Sequence, residues 1–266
     1  MLMIVAIDAG NYKTKFYDGR QLRAYPSLIG EYRERNIRQV HGDYDFEFEY
    51  DGERGFAGTL ALHESECAAS QKGETKAHPD ARLRILIALH QFGDGLEYEL
   101  VVGQPVSMHT VAEKDAIKDM LRGRHELVVN GRRKVIVIRR CEVAAEGVTA
   151  GLLLPGGGII RVIDIGSGTV NFGTLVDRRF NDRGSFTLGS GLETLRSVQP
   201  ADFGRQISLR ALASGWKAGD AVYVCGGGAT VLMDHIRKYF PAVRLIDEPA
   251  FANVRAFYQI ARRLYG

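Results

Sequence analysis

Asp8 and Asp164 each close a short apolar run, and each is followed by a glycine turn: Ile7-Asp8-Ala9-Gly10-Asn11 and Ile163-Asp164-Ile165-Gly166-Ser167-Gly168-Thr169. A carboxylate so placed can hold a hard cation such as Mg²⁺, mainly through water, while the cation bridges phosphates. Glycine lets backbone N–H groups approach an anion, and successive N–H groups form a phosphate nest. A third turn, Gly226-Gly227-Gly228, leaves another apolar run and opens a helix, whose N-terminus favours negative charge. Any one of these turns reads better as ordinary turn chemistry. Three together, two with Asp just before, point to a nucleotide phosphate chain. Lys15 follows the first turn and offers a point charge to a β- or γ-phosphate, with Lys13 on the same strand face. Glu146 stands among small residues in CEVAAEGVTAG and is suited to orienting or deprotonating water. Glu142, four residues earlier, competes for that role.

These residues need particular elements around them. Met3 to Asp8 reads as a buried strand, and Lys15 to Tyr17, Asp18-Gly19 and Leu22 to Tyr25 as a hairpin beside it, ended by Pro26-Ser27. Asp51-Gly52 between Phe46 to Tyr50 and Gly55-Phe56, and Asn130-Gly131 between Glu126 to Val129 and Lys134 to Ile138, predict two more hairpins. Helices are expected over Pro79 to Phe92, Val111 to Leu121, Glu142 to Leu154, Leu192 to about Ala213, Ala229 to Phe240 and Phe251 to Tyr265. Strands are expected at Tyr98 to Gly103, Ala221 to Val224 and Arg244 to Ile246. The two Asp stand 156 residues apart in matching strand–Asp–Gly–strand strings, which predicts two copies of one unit. In such a duplication the two carboxylates face each other across one cleft.

The bulk composition narrows the function class. The 266 residues are 45% hydrophobic and 25% charged, as in ordinary globular domains, with a net charge of +3 that does not itself imply nucleic acid. Cys67, Cys141 and Cys225 are far apart and odd in number, which argues against a disulfide framework and for a reducing, cytoplasmic location. The early strand, with no basic stretch and cleavage site before it, leads one to expect no leader peptide, and the apolar runs fall short of a membrane span. The seven His lack metal-site spacing, so neither a transition metal nor a Ser-His-Asp triad is expected. The basic clusters Arg132-Arg133-Lys134 and Arg139-Arg140 read as solvated surface, because no aromatic stacking pattern accompanies them.

IDAGNYKTKF resembles the first phosphate motif of the actin/Hsp70/sugar-kinase superfamily. VIDIGSGTVNF resembles its second phosphate motif and VYVCGGGA its adenosine motif. AAEGVTAGLL and FANVRAFYQIARRL look like its two connecting helices. All five occur in the expected order. N-x-x-T-K after the first turn, Tyr25-Pro26-Ser27, the A-E-G string and F-A-N-V are similar to the ParM/StbA group of bacterial plasmid-segregation proteins, and most of all to its short AlfA-type members. The resemblance implies a duplicated ribonuclease-H-like actin fold of the α/β class, with halves at 1–144 and 145–266 around a nucleotide cleft and a small inserted subdomain within about 28–78. Only 46 residues run from Val176 to Val222, so the second half is expected to lack the subdomain called IIB.

The same resemblance implies roles. Asp8 and Asp164 would organise Mg²⁺ and its waters. Gly10, Asn11, Lys13 and Lys15 would hold the β- and γ-phosphates of ATP, or of GTP in its place. Gly166, Ser167, Gly168 and Thr169 would hold them from the other side, Glu146 would position the attacking water, and Gly226, Gly227 and Gly228 would line the adenosine. It implies an ATPase that forms helical filaments with itself and moves plasmid DNA through a small DNA-binding adaptor at a centromere, touching DNA indirectly and no membrane. Two departures stand out: Ala145 where relatives often have Pro, and Arg255 where they have Gly. A small-molecule kinase of type III pantothenate kinase character shares the Asp-x-Gly-Asn start. It needs a G-A-D-R type motif that is absent, since Asp115 and Asp119 lie among lysines on a predicted helix. A membrane-tethered pseudo-ATPase is disfavoured by the intact Asp8, Glu146 and Asp164.

Overall fold

The computed structural model describes residues 1–37, 42–70, 75–193 and 197–266. They form two compact units: Met1–Val102 with Val111–Val143 and Ile260–Gly266, and Gly103–Thr110 with Ala144–Gln259.

The first unit is built on β1 (Leu2–Ala9), β2 (Lys13–Tyr17), β3 (Leu22–Pro26), β4 (Ile29–Glu31), β5 (Asp45–Tyr50), β6 (Glu53–Gly58), α1 (Thr59–Glu64), α2 (Pro79–Phe92), β7 (Glu97–Gln104), α3 (Val111–Leu121), β8 (Gly123–Val129) and β9 (Arg132–Ala145). Its sheet has the order β3-β2-β1-β7-β9-β8-β5-β6-β4. β1 is antiparallel to β2 and parallel to β7. Two of the three predicted hairpin turns form as left-handed pairs, Asp51-Gly52 and Asn130-Gly131, the geometry that follows strand twist. Asn130 also ties its turn to β5: its Oδ1 accepts the Glu47 N–H at 2.8 Å and its Nδ2 donates to the Asp45 carbonyl at 2.8 Å. Helix α2 is buried from Ala81 to Leu89 against Val5, Ile7, Phe16 and Leu100. The C-terminal carbonyls of α2 are capped by the Lys134 ammonium, which donates to Leu89 at 2.8 Å and to Gly93. Residues 38–41 and 71–74 of the expected inserted subdomain lie outside the described residues; the rest supplies β4, β5, β6 and α1 around Phe56 and Leu60.

The second unit carries β10 (Ile159–Ile165), β11 (Val170–Val176), β12 (Arg179–Phe180), β13 (Phe186–Leu188), α4 (Pro200–Ala213), β14 (Ala221–Cys225), α5 (Ala229–Arg237), β15 (Arg244–Leu245) and α6 (Ala252–Tyr265), whose last turns join the first unit. Its sheet runs β12-β11-β10-β14-β15, with β13 also on β11. Phe172, Phe203, Ile207, Trp216 and Phe240 fill the core under α4 and α5. β10 is antiparallel to β11 and parallel to β14, the arrangement of β1, β2 and β7 again.

Two expected helices differ. Glu142 to Leu154 is not one helix: β9 continues to Ala145, and only Val148–Leu153 forms a 3₁₀ turn. Gly147 at φ 75° lies in the left-handed region, which an α-helix interior excludes. The small residues serve close packing instead, since a Cβ on Gly173 would lie 2.4 Å from the Val148 Cα. The helix expected from Leu192 starts at Pro200, because a residue before proline is driven out of the helical region and Pro fits a first helical turn. Residues 194–196 of that stretch lie outside the described residues.

Candidate functional site

The duplication extends to register. Asp8 pairs across the ladder with Lys15, and Asp164 with Asn171, each seven residues on. Each Asp is the next-to-last residue of its strand and is 4% exposed. The turns between the paired strands are Gly10–Lys13 and Gly166–Thr169, four residues each. They are congruent: a Cβ on Gly10 would meet the Lys13 carbonyl oxygen at 2.8 Å, and one on Gly166 the Thr169 carbonyl oxygen at 3.0 Å. Glycine is needed there because the chain doubles back on itself.

At the first turn the carbonyls are gripped from behind. Lys76 Nζ donates to the Ala9 oxygen at 3.0 Å. Ser27 Oγ and Arg84 Nη1 donate to the Gly10 oxygen at 2.6 and 3.2 Å. Ser70 Oγ donates to the Asn11 oxygen, and Lys76 also reaches Asn11 Oδ1 at 3.4 Å. In a trans peptide the N–H points opposite to the C=O. Anchoring three carbonyls therefore turns the N–H groups of Gly10, Asn11 and Tyr12 the other way, as an anion nest requires. Lys15 Nζ reaches Asp8 Oδ2 at 3.0 Å, while Lys13 is exposed one pleat away on the same face. His78 lies behind this cluster as the N-cap of α2, its Nδ1 accepting from Ala81 at 3.1 Å. Burial, then the Arg84 charge, push its pKa down to about 4.

The second turn is gripped by backbone. The carbonyls of Ile165, Gly166 and Ser167 accept from Gly228, Leu192 and Glu193 at 3.0, 3.2 and 2.9 Å. This turns the N–H groups of Ser167 and Gly168 outward by the same rule. In the third turn the three glycines divide their tasks. Gly226, at φ 87°, donates to the Pro249 carbonyl, and Gly228 donates to Ile165 and precedes α5. Gly227 alone is exposed, with open space where a side chain would stand.

Glu146 occupies the turn after β9 rather than a helix and is 7% exposed. Its N–H donates to the Gln104 carbonyl at 2.8 Å, and its Cγ lies 3.1 Å from where a Cβ on Gly103 would be. The next residue, Gly147, packs on Asp164 and Asn171: its added Cβ would meet theirs at 3.1 and 2.8 Å. So within the second unit Glu146, Asp164, Asn171 and the second turn come together. Glu142 does not join them. It lies on β9 and pairs with Lys118 at 2.7 Å; burial opposes its charge, but the Lys118 ammonium, the Val143 N–H and the Lys114 charge together hold its pKa below the usual value.

Among the described residues no group of three His, Cys, Asp or Glu is placed to hold a metal ion. Two single buried carboxylates do suit Mg²⁺, which protein commonly holds through one or two carboxylates plus substrate phosphates. The basic clusters are committed elsewhere: Arg133 to Glu126, Arg139 to Glu97 at 2.6 Å, Arg140 to Glu99 at 2.5 Å, and Lys134 to α2. Asp115 is exposed, with Lys118 4.0 Å away. Among the described residues no helix is long and apolar enough to cross a membrane. Sequence spacing did not reveal Ser27, Ser70, Lys76 and Arg84 as supports of the first turn. Asn171 and Asn253, beside Asp164, stood inside quoted motifs without a role.

Comparison with known proteins agrees with this geometry. The family described as actin-like proteins, N-terminal domain, matches residues 6–148. No curated protein matches the chain in sequence. Among solved structures, an AlfA filament bound to AMPPNP is 19% identical, with 100% of both chains covered and a TM-score of 0.79. A 15-stranded ParM filament from Clostridium botulinum is 17% identical, covering 99% of this chain and 100% of that one at a TM-score of 0.82. The archaeal actin homologue Ta0583 is 18% identical, covering 98% of this chain and 99% of that one at 0.79. At such identities the likeness is one of fold, a duplicated actin-like α/β architecture.

Proposed function

Since the chain belongs to the actin-like protein family, we propose that it is an ATP-hydrolysing, filament-forming protein that segregates plasmid DNA through a small DNA-binding adaptor, with hydrolysis setting polymer stability. The observation that carries the nucleotide part is the congruence of the two Asp–turn–strand units, each with a buried carboxylate and with its turn carbonyls held, by side chains in the first and by backbone N–H groups in the second, so that the N–H groups turn outward. The filament part is supported by the fold shared with AlfA and ParM filaments.

In this reading each unit contributes named groups. The outward N–H groups at Gly10 and Asn11, with Lys13 and Lys15, bind β- and γ-phosphate oxygens. Those at Ser167 and Gly168, with Thr169, bind them too, and Gly166 supplies the tight bend. Gly227 admits the nucleoside side of the ligand, while Gly226 and Gly228 shape its turn and orient α5. Asp8 and Asp164 hold Mg²⁺, largely through its waters. The metal, when bound, neutralises charge on the phosphates. Glu146 positions the attacking water and accepts its proton at the side-chain carboxylate. Catalysis is then mostly positioning and charge stabilisation.

Between β11 and β14 the described residues hold two short strands, a 3₁₀ turn and α4. We read this as a reduced second half without subdomain IIB. Head-to-tail contacts whose rotation does not close give open helical filaments. Light scattering and electron microscopy with ATP and Mg²⁺ test the proposal. Polymers that need nucleotide are expected. Phosphate release without polymer at any protein concentration would overturn the filament assignment and leave the ATPase; neither polymer nor nucleotide binding would overturn both.

A further inference from the structure

Asn253 is the third residue of the Phe251-Ala252-Asn253-Val254 string and sits in the first turn of α6. An Asn at a helix start ordinarily bonds its own backbone. This one reaches two other segments. Its Oδ1 accepts the Gly147 N–H at 3.0 Å, and its Nδ2 donates to Asp164 Oδ2 at 2.9 Å. It is 8% exposed, so both bonds are shielded from water. A carboxamide is suited to this pair because one end only accepts and the other only donates, which fixes its orientation. Asn171 Nδ2 adds a longer contact to the same Asp164 oxygen at 3.5 Å, but its Oδ1 is engaged by Thr187 at 2.8 Å. Asn253 is therefore the better-placed donor to Asp164, and it also holds the residue that follows Glu146.

We propose that Asn253 is a positioning residue that sets the Asp164 carboxylate and the Glu146 turn in one shared orientation. The inference rests on the roles assigned above, Asp164 toward Mg²⁺ and Glu146 toward water. It adds that the two are not aimed independently: a single side chain fixes both, and disturbing it moves the metal requirement and the hydrolytic step together. Partners of this kind, one bond removed from a metal-facing group, typically change metal affinity by about 10- to 100-fold when lost.

The informative change is Asn253→Asp. It keeps the shape and the acceptor for Gly147 but replaces the donor facing Asp164 with a second carboxylate oxygen. Two carboxylates that close cannot both stay ionised and in place, so Asp164 must turn away or share a proton. The test is equilibrium binding of a fluorescent ATP analogue, in EDTA and across a Mg²⁺ titration, with phosphate release measured alongside. The wild-type chain is expected to bind more tightly with Mg²⁺. In Asn253→Asp the half-saturating Mg²⁺ concentration should rise about tenfold or more, with affinity in EDTA unchanged. A merely structural role would weaken binding equally with and without Mg²⁺, and that result, or a wild-type Mg²⁺ requirement, overturns the inference. Thermal melting checks folding first; should Asn253→Asp not fold, Asn253→Ala carries the same comparison. A wild-type chain that binds no nucleotide would overturn the functional reading itself, a failure distinct from a variant that binds nucleotide with the wild-type Mg²⁺ requirement.

Discussion

Replacing Arg84 by Met separates what supports the fold from what supports the nucleotide. Arg84 is fully buried, and burial lowers its pKa despite Tyr25 and Asp80 nearby. Its guanidinium bonds two carbonyls, Gly10 and Asp80, each at 3.2 Å, and its Nη2 has no partner. Those bonds contribute roughly 1.5–3 kcal/mol each, against a desolvation penalty of several kcal/mol for the buried charge. Met fills similar space, and the Gly10 oxygen keeps Ser27 Oγ at 2.6 Å, so no buried acceptor is orphaned. Unfolding free energy is therefore expected to change by no more than about 1 kcal/mol, in either direction. Binding is another matter. From the guanidinium through one hydrogen bond, one peptide group and a second hydrogen bond to a phosphate oxygen is about 8 Å. At an effective dielectric of about 20 that distance gives about 2 kcal/mol per unit of phosphate charge, or about 30-fold in ATP affinity. Calorimetric ATP binding with chemical denaturation measures both quantities, and Arg84→Lys should restore part of the affinity. If Arg84→Met binds ATP as the wild type does, or loses stability and affinity in proportion, the buried cation is not acting on the phosphate turn.

Three further outcomes follow from the same geometry. Glu146→Ala should slow phosphate release by about 100-fold or more while ATP-assembled polymers persist, and unchanged release would remove Glu146 from the chemistry. Gly226→Ala should cost about 3 kcal/mol, because it puts a methyl at φ 87° with the Ile165 oxygen 2.4 Å away, whereas Gly227→Ala, in open space, should leave the melting temperature unchanged. His78, lowered to about 4 when folded and near 6.5 unfolded, binds more protons in the unfolded chain between those values. Stability should therefore be full above about pH 6.5 and decline as the pH falls toward 4, by at most about 3 kcal/mol. Denaturation across that window should show a shallower decline in His78→Asn, which keeps a capping side chain; an equal decline would assign the acid sensitivity elsewhere.

The parts legible in the sequence are those where local chemistry and fold agree. Asp8-Ala9-Gly10 and Asp164-Ile165-Gly166 announce both turns because the glycines are forced by backbone approach, and forced residues leave a readable mark. The run from Glu142 to Leu154 misleads because Ala, Glu and Leu suit a helix, while strand pairing and the left-handed Gly147 decide otherwise. The supports of the first turn were hidden for a different reason. Ser27, Ser70, Lys76 and Arg84 reach it from 17 to 74 residues away, across contacts that no spacing encodes. Arg84 hides best: nothing in PDARLRILIALHQF marks it off from Arg82, yet α2 buries Arg84 as an interior cation while Arg82 stays partly exposed.

The duplicated register also exposes a difference that motif matching smooths over. Lys15 and Asn171 hold equivalent places opposite the two Asp. Asp8 is thereby matched by a cation at 3.0 Å, and the pair is close to neutral. Asp164 instead accepts from the amides of Asn253 and Asn171, which orient its Oδ2. Two carboxylates that look interchangeable as sequence strings thus have different neighbours: amides reach the second, while the first has Lys15 beside it and Lys76 and Arg84 behind its turn. One backbone geometry thus occurs twice, and the residue seven places after each Asp, Lys15 or Asn171, gives each carboxylate a different partner.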